Sequence, residues 1–276
     1  MVAGSIRIGW RAWTSSLRVL GRSPVYVVTL AAILALWALA GYQWLWLPES
    51  SAWMLALTAV WLAAMVILAL AVLAGSALSV LTVATGSDAR LRLGRILSFD
   101  KKRLRGAALV ALIGLLIGLA LDALFGWINN RALEAASFLT FQTQHPVSYV
   151  VIEKLFWVIK VMVWIAGAGL MMAWLLKHSR PPSEAAPPGT PSRPIRWFGT
   201  IVFLTGVLAV GLFGGLAWSV STWHPQVKPG DWDYAQLGIR TGAALLLITL
   251  GWLFWMMALA RLLESVRERV ASTPRT

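Results

Sequence analysis

Six long apolar segments, with basic residues gathered on one side of them, restrict this chain to one class of fold before any motif is considered. The segments run from Pro24 to Leu47, Ala52 to Val83, Gly106 to Ile128, Tyr149 to Leu176, Trp197 to Val220 and Ile239 to Ala260. Each exceeds the roughly 20 residues that a helix rising about 1.5 Å per residue needs to cross a hydrocarbon core of about 30 Å. The expectation is an all-α, polytopic membrane protein with six transmembrane helices. Composition agrees, since 59% of residues are hydrophobic and 13% charged, whereas soluble domains carry about 25% charge. A signal peptide is weighed because Arg22 precedes a run containing the small-residue pattern Ala38-Leu39-Ala40. That run continues to Leu47, past the roughly 7–15 apolar residues of a signal peptide, so it reads as an anchor.

Charge sets the expected orientation. Arg7, Arg11, Arg18 and Arg22 precede the first segment, and Arg90, Arg92, Arg95, Lys101, Lys102, Arg103 and Arg105 fill the second connection. Lys177, Arg180, Arg193 and Arg196 flank the fourth connection, and Arg261, Arg267, Arg269 and Arg275 follow the last segment. The opposite side holds Arg131, Lys228 and Arg240. Basic residues near span ends stay in the cytoplasm, which predicts a bacterial cytoplasmic (inner) membrane protein with both termini inside. The net charge of +13 therefore points to anionic lipid headgroups, not to nucleic acid.

Residues 1–23 read as an amphipathic interfacial helix, 24–263 as the six-helix domain and 264–276 as a cytoplasmic tail. In the first of these, Arg7, Arg11, Arg18 and Arg22 form a narrow stripe at 100° per residue, with Ile6, Trp10, Trp13, Leu17 and Leu20 on a neighbouring face. The apolar face is expected to enter the acyl boundary while the arginines meet phosphates, and Ser23-Pro24 supplies a cap and first-turn proline for the first span. Arg90 to Arg105 reads as a second surface segment, with Lys101, Lys102 and Arg103 as headgroup contacts. The proline-rich stretch 181–194 is a cytoplasmic linker. The second and fourth segments are longer than a bilayer requires, and Gly75-Ser76, Gly167 and Gly169 are candidate bends.

Asp122 in the third segment and Glu153, Lys154 and Lys160 in the fourth are the charges lodged within apolar runs. Glu153 and Lys160 are seven apart and share a helix face. Lys160 lies about 16 Å from the start of its run, near mid-bilayer, where a lone ammonium costs at least roughly 2.5–3.5 kcal/mol. Asp122 or Glu153 is its expected counter-ion. Such a cluster either locks the third and fourth helices together or lines a ligand path, and the first reading is preferred because the other four segments carry no internal charge.

Other signals are weaker. His145, His224, Asp231 and Asp233 lack the close spacing of a metal site. Trp44, Trp46, Trp53, Trp127, Trp218, Trp223 and Trp232 mark one interface, and Trp10, Trp13, Trp174 and Trp197 the other. Deeper Trp37, Trp61, Trp157, Trp164, Trp252 and Trp255 suit packing, with pigment or quinone stacking as the alternative. Gly114-xxx-Gly118 and Gly211-xxx-Gly215 permit close helix approach. The basic entries before the first, third and fifth segments are compatible with three successive hairpins. No cysteine, nucleotide-binding loop, metalloprotease or hydrolase motif occurs, so no cofactor is assigned. The function expected is a non-enzymatic subunit or assembly factor of a larger membrane complex, with lipids and other membrane subunits as partners. The alternative is a small permease or lipid-handling transporter that uses the charge cluster.

Overall fold

The computed structural model describes residues 2–44, 51–86, 89–92, 101–178, 196–223 and 231–272, with backbone alone at 2–6, 44, 101–104, 107, 178, 196–198, 231–234 and 269–272. The regular elements are all helices: α1 (Val2–Gly21), α2 (Pro24–Trp44), α3 (Ala52–Ala84), α4 (Lys101–Asn129), α5 (Ala132–Thr143) and α6 (Tyr149–His178) come first. Next is α7, an α-helix over Arg196–Ala209, a π-helical turn over Val210–Gly214 and an α-helix over Gly215–Thr222, followed by α8 (Asp231–Ser272). Helices α2, α3, α4, α6, α7 and α8 are long and apolar enough to cross a membrane. The chain is an all-α multi-pass membrane protein. The side that carries α1 is here the α1 side, and the other the far side.

Three hairpins, α2–α3, α4–α6 and α7–α8, are each joined on the far side. In the first, Trp37 Nε1 donates to the Met65 carbonyl at 2.9 Å and Trp61 Nε1 to the Ala40 carbonyl at 3.2 Å. In the second, the Gly114 and Gly118 positions receive Met171 and Trp164 of α6, so this small-residue pair serves packing within the bundle. In the third, an Arg240 guanidinium N–H from α8 donates to the Trp223 carbonyl. A cation is favourable there because the α7 C-terminus presents unsatisfied carbonyls.

The hairpins meet around α8. Every residue from Leu253 to Ala260 is at most 6% exposed, so this stretch is enclosed on all sides, as expected for a helix apolar around its whole circumference. Its neighbours present small groups where it passes. Ala74, Ser76 and Ala77 of α3 are buried, and the ring of Trp255 lies against Gly169 of α6 and Gly206 of α7. Small side chains matter here because lipid tails are as apolar as leucine, leaving close packing to hold membrane helices together.

The buried core lies mainly in the α1-side half. In α3 every buried residue except Thr58 lies at or beyond Ala74, and large side chains of its other half, such as Trp53, Val60 and Ile67, are exposed. The far halves of α2, α4 and α6 likewise leave Leu39, Leu119, Leu124 and Val151 exposed.

Several elements depart from the sequence-based expectation. Gly75-Ser76, Gly167 and Gly169 lie in unbroken α-helix, where the first two and Gly169 serve contact. The irregular turn falls instead at Val210–Gly214, where Gly211 and Gly214 reduce the backbone's preference for the α form. Helix α8, the last spanning helix, is longer than its apolar run, at 42 residues, or about 63 Å. It continues to Ser272 because its charged part is rich in Leu, Arg and Glu, all good helix formers, and the next proline is Pro274. A far-side connection contains the helix α5, which ends at Gln144 in the left-handed conformation (φ 56°), with Pro146 just beyond. The linker 181–194 and the 93–100 part of the second connection lie outside the described residues.

The two glycines of α7 give a test of this packing. A Cβ at Gly206 would meet Trp255 Cζ2 and Ile165 Cγ2 at 2.6 Å, whereas one at Gly211 meets nothing within 4 Å. Gly206→Ala is expected to destabilise by about 1–3 kcal/mol, read as a lower thermal midpoint in detergent, while Gly211→Ala leaves the midpoint unchanged.

Candidate functional site

The charges of α4 and α6 meet at the hairpin interface. Lys160 Nζ lies 2.5 Å from Asp122 Oδ1, with side chains 35% and 60% exposed. The two helices bring them together because Gly118, one turn before Asp122, admits the Trp164 ring, one turn after Lys160. Both groups thus have a partner of opposite charge, yet the pair stands at the periphery of the bundle.

Glu153 and Lys154 are exposed one to two turns nearer the far side. They form no ion pair among the described residues, so of the two candidate counter-ions only Asp122 is engaged by Lys160. Glu153, Lys154 and Lys160 line a cleft of about 430 Å³ with Asn129 and Phe125 of α4 and Trp157 of α6. The cleft holds a carboxylate and an ammonium that are unspent, and a second ammonium already neutralised at its deep end. Above it, α5 packs on α6 through Ala132, Ala136 and Ile152, and Arg131 pairs with Glu134 at 2.9 Å while its guanidinium stacks 5.0 Å over Trp127.

Helix α1 departs from the simple interfacial arrangement. Its buried face is Gly9, Ala12, Ser16 and Val19 with Leu20, packed against α8 and α7. Trp13 Nε1 donates to Thr205 Oγ1 at 3.0 Å, and Gly9 abuts Ile201. The apolar face expected from Trp10, Trp13, Leu17 and Leu20 therefore divides: Leu20 and part of Trp13 enter the protein, while Trp10 and Leu17 remain exposed. Arg7, Arg11, Arg18 and Arg22 are all exposed beside them, so the outward surface keeps an apolar edge and a cationic edge. The side chain of Ile6 lies outside the described residues.

Ser23 contributes its carbonyl to the first turn of α2, accepting from Val27 N–H, while its buried Oγ accepts from Leu91 N–H at 3.1 Å. This bond fastens the second connection to the α1–α2 junction, with Leu91 buried between exposed Arg90 and Arg92. The side chains of Lys101, Lys102 and Arg103 lie outside the described residues. Tyr26 is 1% exposed, and its hydroxyl faces Ser79 Oγ outside hydrogen-bonding geometry. Neither residue was distinguishable in sequence from its apolar neighbours.

Of the deep tryptophans, Trp37, Trp61, Trp164 and Trp255 are committed to the helix contacts described above, whereas Trp157 is exposed in the cleft. Among the described residues no group of His, Asp and Glu has the arrangement of a metal site; His224 and the side chains of Asp231 and Asp233 lie outside them. Comparison with protein-family models, curated proteins and solved structures finds no match to this chain.

The Asp122–Lys160 pair gives a second test. Lys160→Met leaves Asp122 without its counter-charge and is expected to cost about 2.5–3.5 kcal/mol, whereas Lys160→Met with Asp122→Leu recovers most of that loss. Unfolding of the purified variants in detergent, with Asp122→Leu alone completing the cycle, measures both, and a double-variant loss equal to the sum of the two single losses would show that the two side chains are not coupled.

Proposed function

We propose that the protein is a non-enzymatic integral subunit or assembly factor of a larger complex in a bacterial cytoplasmic membrane, with its α1 side in the cytoplasm. The observation that carries this reading is the Asp122–Lys160 pair, held inside two spans but open to the bundle periphery. Hydrocarbon solvates neither charge, and intramembrane charges ordinarily face protein or water. A neighbouring polypeptide over the α4–α6 surface supplies that environment. The broad exposed faces of the far-side half offer further contact area.

Passage of a solute across the membrane is the less favoured reading. The cluster opens toward the far side, while Leu253–Ala260 and the helices around it form an apolar, filled core on the α1 side. Basic residues at the α1 side, with Trp10 and Leu17 beside the exposed arginines, support cytoplasmic placement of that face.

Two measurements test the proposal. The chain contains no cysteine, so single-cysteine variants report sidedness directly: Ser137→Cys on α5 should react with an impermeant maleimide in intact cells, and Gly21→Cys only after permeabilisation. The opposite pattern inverts the orientation. Purification in gentle detergent followed by mass spectrometry should recover a stoichiometric membrane partner, and its recovery should fall in Asp122→Leu/Lys160→Met; recovery of a solitary chain that is active after reconstitution rejects the subunit reading.

A further inference from the structure

The cleft between α4 and α6 joins charges of both signs to apolar walls. Its volume of about 430 Å³ falls within the roughly 300–1,000 Å³ of small-molecule sites. Four charges bear on it. Asp122 neutralises Lys160 at the deep end, leaving Glu153 and Lys154 as a carboxylate and an ammonium side by side. A ligand that satisfies both must carry a cation and an anion close together. A singly charged ligand would engage only one of these two groups, whereas a zwitterion engages both with charge-assisted hydrogen bonds.

Depth narrows the class. Glu153 and Lys154 lie about 6–8 Å along α6 from Tyr149 at its far-side end, the level where lipid headgroups meet their acyl chains. The wall below them is apolar, with Phe125 and Trp157 flanking the path toward Lys160. Thus polar recognition is near the interface, and apolar side chains follow inward only as far as the Asp122–Lys160 pair, a run that suits a headgroup, its glycerol and the first part of one acyl chain. Asn129 adds an amide at the polar level, able to donate to a phosphate oxygen.

The geometry points to this cleft as a binding site for a zwitterionic phospholipid with a primary-amine headgroup, of the phosphoethanolamine type. Lys154 and Asn129 hold the phosphate, Glu153 accepts from the headgroup ammonium, and a chain lies along Phe125 and Trp157. The primary amine is preferred over a quaternary one because a carboxylate is matched by N–H donors, which a trimethylammonium lacks. This site shares the α4–α6 surface with the subunit reading but uses a different part of it: the lipid headgroup engages Glu153, Lys154 and Asn129 toward the far side, and a neighbouring polypeptide would cover the deeper Asp122–Lys160 pair.

The experiment is native mass spectrometry of the full chain purified in gentle detergent and supplied with equal phosphatidylethanolamine, phosphatidylglycerol and phosphatidylcholine. Wild type is expected to retain phosphatidylethanolamine about tenfold over the others, the scale of one charge-assisted hydrogen bond. Glu153→Gln should abolish the preference over phosphatidylglycerol, and Lys154→Gln should reduce retention of all three. The swap Glu153→Lys/Lys154→Glu should keep the phosphatidylethanolamine preference, which guards against damage by either single change. Identical retention by wild type and both single variants overturns the site, as does preference for phosphatidylcholine or phosphatidylglycerol in wild type. Displacement of the lipid by soluble glycerophosphoethanolamine at equal concentration assigns the cleft to a water-soluble ligand and overturns the lipid assignment. The partner-recovery measurement is a separate readout, so failure of either proposal leaves the other standing.

Discussion

Close packing around α8 is the constraint on which the remaining structure depends. A helix enclosed by protein in a membrane gains little from leaving lipid, because tails and side chains are equally apolar; its stability comes from dense contact and from matched polar groups. The residues that surround Leu253–Ala260 answer that requirement with small size, as Gly169, Gly206, Ala74 and Ala77 allow the indole of Trp255 and the side chains around it to fill the space. Three buried hydroxyls in the same region turn back on their own helices. Ser16 donates to the Ala12 carbonyl at 2.6 Å, Thr205 to Ile201 at 2.7 Å and Thr249 to Leu245 at 2.7 Å, which satisfies them without requiring water.

The far half follows different rules. There each hairpin is held by its own fastenings, the two indole N–H bonds of α2–α3, the ion pair of α4–α6 and the Arg240 bond of α7–α8. These are polar and local, whereas the α1-side core is apolar and shared. The division explains how one molecule can combine a rigid base with large exposed surfaces, and why its intramembrane charges occur where the shared core has ended.

Span number and the place of Asp122 and Lys160 were legible because both depend on patterns that survive averaging: long apolar runs and rare charges at computable depths. The buried face of α1 was not, because a hydropathy reading weights Trp10 and Leu17, while the residues that face the protein are the small Gly9, Ala12 and Ser16. Glycine is ambiguous in the same way. Gly169 marks a contact and Gly211 lies in a π-helical turn, yet nothing local to either separates the two roles. Helix α5 was obscured by its mixed composition, although Ala, Leu and Glu in its first turns favour helix. Three of the charges that line the cleft were named from sequence as a cluster between these two helices, but the place of Asn129 beside Glu153 and Lys154 was not, because it is a matter of helix rotation that spacing along one chain does not specify.

The docking of α1 on α8 also has a meaning in time. A helix that emerges early during synthesis has its main partner at the other end of the described chain, with Thr205 of α7 as a second attachment. Until those late helices are threaded into the bilayer, Gly9, Ala12 and Val19 have no surface to cover them. The contacts that close this core therefore join residues near opposite ends of the described chain, and they can form only once α7 and α8 have been synthesised.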